Sequence, residues 1–118
     1  MKLSIRYVKE HGALEKERIV LKVLDNVDVG NYMLADTTYI ADEEVSNRLR
    51  HTFWIPDKAA EKGDIIVIYT KPGDDFTQSN KSGNKTHFFY WGLKRTVWNK
   101  ERDAAALFLL NDWSSTKV

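Results

Sequence analysis

The six residues IIVIYT at positions 65–70 limit the fold more than any other stretch of the chain. They are β-branched or aromatic throughout, which favours an extended backbone. Consecutive strand side chains point to opposite faces, so this segment is apolar on both of its faces. A strand of that kind is covered on both sides and belongs in the middle of a sheet, not at its edge.

Further strands are legible on either side of it. Leu3, Ile5 and Tyr7 alternate with Lys2, Ser4 and Arg6, the period of a half-buried strand, and His11-Gly12 reads as a turn. In ERIVLKVL (17–24), Ile19, Leu21 and Val23 share one face, while Val20, Lys22 and Leu24 make a mixed, partly exposed one. Asp25-Asn26 ends that strand, and Gly30-Asn31 makes a tight bend into the next. Residues 50–55 alternate until Pro56-Asp57 stops them. Residues 42–49 read either as a surface loop or as two helical turns with Asp42 as N-cap.

Residues 71–85, with Pro72, Gly73 and Gly83, have little to bury and read as a mobile polar loop. After them comes an aromatic strand, with Phe88 and Tyr90 on one face and Phe89 and Trp91 on the other. The basic corner Lys94-Arg95 and a core residue, Trp98, follow. Residues 101–110 contain good helix formers. Short strands and turns recurring about every ten residues favour a strand there instead, with Ala105, Leu107 and Leu109 on one face. The tail from Ser114 reads as frayed. Together these segments predict an all-β sandwich of about seven to nine strands, with the segment near 42–49 as its one candidate helix.

The 118 residues suit one domain spanning 1–118. A chain of this size buries roughly two-thirds of its unfolded surface, enough for one core without covalent staples. The absence of cysteine excludes disulfides, thiolate nucleophiles and cysteine-ligated zinc. MKLSIRYVKE alternates instead of forming the apolar core of a signal peptide, and no apolar run approaches the ~18 residues of a membrane span. A cytoplasmic setting fits these features, and a mature secreted domain would share them. Net charge is +1, so any attraction to nucleic acid or acidic lipid must come from a local patch.

Four segments in order resemble the lamin tail domain, in its bacterial form. They are ERIVLKVLDNVDVGNYMLAD (17–36), HTFWIPD (51–57), EKGDIIVIYT (61–70) and VWNKERDAAAL (97–107). Val29, Tyr32, Leu34 and Asp36 fill the positions of the family's second strand, and Trp98 heads its closing motif. The resemblance implies an immunoglobulin-like sandwich, a fold found at the C-terminus of nuclear lamins and in many bacterial proteins. Gly30-Asn31, Val23 and Glu101-Arg102 depart from the family's pattern.

Residues suited to catalysis are scattered. His11, His51 and His87 form no close-spaced ligand pair, and neither a nucleophile elbow nor a phosphate-binding loop occurs. The acids Asp42, Glu43 and Glu44, and the pair Asp74 and Asp75, fall in expected loops, where solvation is their ordinary role. A hydrolase would require Asp74, Asp75 and His87 to converge. The sequence therefore points to no enzyme, no cofactor and no metal. Residues 71–102 hold seven basic side chains against three acids. The candidate binding surface is Lys81, Lys85, Phe89, Trp91, Lys94, Arg95, Lys100 and Arg102. The expected function is an interaction module for a protein partner or for itself, without membrane insertion. Nucleic acid is the alternative ligand, through phosphate contacts and base stacking.

Overall fold

A computed structural model describes residues 1–98 and 101–118, and shows an all-β sandwich. Eleven strands run in chain order among these residues. The first six are β1 (Leu3–Lys9), β2 (Arg18–Val23), β3 (Val27–Asp28), β4 (Tyr32–Ala41), β5 (Glu44–Val45) and β6 (Thr52–Trp54). The other five are β7 (Ala59–Ala60), β8 (Ile65–Tyr69), β9 (Phe76–Ser79), β10 (Lys85–Tyr90) and β11 (Asp103–Leu109). One sheet has the order β1-β2-β8-β10-β9. In the other, β4 pairs with β11 on one side and with β5 and β6 on the other, and β3 and β7 form a small separate pair.

IIVIYT is central, as its two apolar faces require. β8 lies between β2, to which it is antiparallel, and β10, to which it is parallel. Its Ile66 and Ile68 join Ile19, Leu21 and Val23 of β2 in the core, where Tyr32 and Leu34 of β4 meet them from the opposite sheet. Trp91 packs between Phe53 and Trp98, at ring separations of 5.7 and 6.1 Å, and so bridges the two layers. Gly30 fits against Asp57 at the bend before β4, where a Cβ would overlap the Asp57 side chain. The segment 103–109 is a strand despite its helix formers, because seven residues pair in unbroken register with β4.

One open alternative is decided and two local expectations are corrected. Residues 42–49 contain no helix; Glu44 and Val45 fold back on β4, and Thr37 Oγ1 donates to the carbonyls of Ser46 and Arg48. Residues 71–85 include the strand β9, whose amides pair with β10. In β1 an extra residue, Arg6, interrupts the register between Ile5 and Tyr7. That bulge reverses the alternation, so Val8 packs on the core and Tyr7 faces outward.

The ends of these elements are joined by a fully buried carboxylate. Glu17 Oε1 accepts from the backbone N–H of Gly12 at 2.9 Å and of Trp98 at 3.2 Å. Oε2 accepts from Thr70 Oγ1 at 2.6 Å and from the Val97 N–H at 2.8 Å. Glu17→Ala would leave these donors without an acceptor, at about 1–3 kcal/mol for each buried group that water cannot reach. Glu17→Gln would aim an NH2 at donors. Urea denaturation should show a loss of at least ~3 kcal/mol for Ala and about 1–3 kcal/mol for Gln.

Candidate interaction surface

The outer face of the five-stranded sheet is set by register. Tyr7 pairs with Val20, Val20 with Val67, Val67 with Phe88, and Phe88 with Phe76. Directly paired residues share a face, so these five side chains form one apolar row across all five strands. Its ends are open: Tyr7 and Phe76 are each 48% exposed. Val20 and Val67 in the middle are nearly covered by their neighbours. A second row holds Lys9, Arg18, Tyr69 and Tyr90.

The rings of these rows are packed against one another. Phe76 and Phe88 stack at 4.4 Å and 7°, and Tyr69 and Tyr90 at 5.4 Å and 12°. Arg18 and Lys71 sit over the Tyr69 ring, at 5.7 and 5.3 Å. Tyr90 also lies across Gly73, where a Cβ would overlap the ring. Contacts of this kind are worth about 0.5–1.5 kcal/mol beyond area burial. They hold the rings in place and occupy much of the ring surface that a stacked base would need.

The residues expected to form the binding surface do not come together. Phe89 and Trp91 turn inward: Phe89 is 4% exposed and Trp91 packs against the core. The outward pair is Phe88 and Tyr90. Lys81 and Lys85 lie at the start of β10, in and beside its hairpin turn with β9. Lys94 and Arg95 follow the opposite end of β10, where with His51 and Leu93 they line a cavity of about 430 Å³. Arg102 is exposed next to β11, and its carbonyl accepts from the Tyr39 N–H at 3.0 Å. Lys100 lies outside the described residues. Tyr7, Tyr69 and Phe76 were absent from the expected surface. Phe76 could have been found from the alternation of FTQS after Asp75, and Tyr69 from the second face of IIVIYT.

The titratable groups are engaged in structural contacts. His87, 2% exposed, has Nε2 at 2.9 Å from Asp64 Oδ2 and Nδ1 at 3.1 Å from Thr77 Oγ1. The tautomer that donates from Nε2 to the carboxylate and accepts at Nδ1 satisfies both contacts and ties β8, β9 and β10 together. His51 Nδ1 meets Asp36 Oδ1 at 3.1 Å. Asp75 Oδ1 accepts from the Tyr90 N–H. Among the described residues no group of three or more acidic or histidine side chains could hold a metal ion, and no helix is long and apolar enough to cross a membrane. No family model matches the chain, and no curated protein matches it.

Burial pushes the Asp64 carboxyl up. Hydrogen bonds from the Glu61 N–H, the His87 ring and the Lys85 N–H, with the electrostatic attraction of the His87 ring, outweigh that and hold it below its usual 3.8. A carboxyl lowered on folding contributes stability that is present above its unfolded pKa and lost as pH falls through the folded value. Asp64→Asn should therefore be less stable than the wild type at pH 7. It should also lose less further stability between about pH 4 and pH 2, in denaturant titrations across that range.

Proposed function

We propose that this protein is a non-enzymatic interaction module that captures a protein partner on the outer face of its five-stranded sheet. The observation that carries this reading is the Tyr7–Val20–Val67–Phe88–Phe76 row, which is apolar, spans the sheet and ends in two half-exposed rings. Exposed aromatic rings joined by an apolar row suit protein contact sites, whose energetics aromatic residues dominate. Lys9, Arg18 and Lys71 beside the row favour a partner that brings acidic side chains to the rim.

Two further observations support a lamin-tail-like, binding role. The segments that resemble the lamin tail domain supply buried parts of the sandwich: Glu17, Val29, Tyr32, Leu34, Asp36 and Trp98 are all inside. The Asp64–His87 contact is enclosed between strands, as suits a structural tie. A nucleic-acid ligand is less well supported, because the rings occupy one another's faces and the basic residues divide between opposite ends of β10.

The test compares affinity capture by the wild type and by a Tyr7→Ser/Phe76→Ser variant of equal folded content. A partner held by the wild type and weakened at least about tenfold by the variant supports the reading, since two half-exposed rings at an interface account for that factor. A partner held equally by both moves the site elsewhere. Salt-sensitive binding to single-stranded DNA that is lost in Lys94→Glu/Arg95→Glu would replace this reading with the nucleic-acid one.

A further inference from the structure

The second sheet ends in β11, and the outer edge of β11 is unpaired among the described residues. The Tyr39 N–H donates to the Arg102 carbonyl, and the Leu110 N–H to that of Asn31. Hydrogen-bonded and non-hydrogen-bonded pairs alternate along an antiparallel ladder. Ala104, Ala106 and Phe108 therefore bond to β4, while the N–H and C=O groups of Ala105, Leu107 and Leu109 point away from it. Those three residues have no backbone partner on that side among the described residues.

The edges of the five-stranded sheet are protected against further pairing, and this one is not. β1 carries the Arg6 bulge and Lys9, with Lys2 just before it. β9 is four residues long, exposed along its length and mostly polar. Bulges, charges and short polar strands are the usual means of blocking an edge. β11 pairs in straight register over seven residues, with no proline and no charge from Ala104 to Leu110.

We propose that β11 is a self-association edge whose occupant is β11 of a second copy of this chain, antiparallel across a two-fold axis at Leu107. In that register Leu107 faces Leu107 of the second copy and Ala105 faces Leu109, so all three outward amides and carbonyls on each edge are paired. Asp103 falls opposite Asn111, and no like charges meet. Phe108 of the second copy falls beside Ala106, a large side chain against a small one. Ala106 also lines a cavity of about 290 Å³, bordered by Val45, Leu49 and Phe108, which can receive that ring. A strand from a different protein would not meet this matched, neutral and self-complementary order by construction. The pairing uses neither the Tyr7 nor the Phe76 end of the aromatic row, so it stands apart from the proposed partner site.

Sedimentation across a concentration series, on the full chain, tests this directly. The wild type should pass from 13.7 kDa to twice that mass as concentration rises. Phe108→Lys places a charge on the edge, and Leu109→Pro removes an outward N–H that β4 does not use. Each should weaken dimerisation at least about tenfold while the far-UV spectrum and thermal melt remain those of a folded sandwich. Amide exchange at Ala105, Leu107 and Leu109 should slow as the wild type dimerises, which gives a readout that needs no variant. Tyr7→Ser/Phe76→Ser should leave the dimer intact. The proposal is overturned by a wild type that stays at 13.7 kDa at every concentration, by a dimer unmoved by both edge variants, or by exchange that is independent of concentration.

Discussion

The carboxylate of Glu17 is withdrawn from water at a point where four parts of the chain meet, and it accepts one hydrogen bond from each of four donors. An ionised group placed in such a position without partners would be strongly destabilising. The turn holding Gly12, the end of β8 at Thr70 and the link to β11 at Val97 and Trp98 must therefore sit together at their observed places. The outer aromatic row depends on the same arrangement, because the alignment of β2 with β8 brings Val20 beside Val67. The outer aromatic face is in this sense a product of a polar contact in the interior.

Much of the sandwich was legible because its central strands are locally consistent. Ile19, Leu21 and Val23 alternate with a mixed face of Arg18, Val20 and Lys22, and IIVIYT has no other reasonable reading. The strand 103–109 was legible only from its surroundings, since its alanines and leucines favour a helix by propensity and pairing with β4 overrides that. The Arg6 bulge left no local signal: the alternation of Leu3, Ile5 and Tyr7 looks regular, and only the pairing of Val8 with Ile19 shows the slip.

The candidate surface was legible in kind but not in placement. The run HFFYW divides between two faces, and the sequence does not say which one is inside. Facing Phe89 and Trp91 to the core also takes His87 inward, a costly choice until Asp64, more than twenty positions earlier, is seen to receive it. Phe76 was passed over because the polar residues around it read as loop, whereas β10 provides the ladder that makes them a strand. The basic residues from Lys81 to Arg95 are close in the sequence, but β10 runs between them and separates the two groups by its length.

The separation of Glu17 from its partners also sets an order of events in time. Gly12 lies five residues away, Thr70 fifty-three, and Val97 and Trp98 eighty and eighty-one. A chain emerging from the ribosome can form the β1–β2 hairpin early, by local contacts, but it cannot satisfy this carboxylate until Val97 and Trp98 have emerged. Until then the cost of burying a carboxylate without partners disfavours enclosing Glu17. The contact that locks the finished domain is thus one that only the arrival of Val97 and Trp98 can complete.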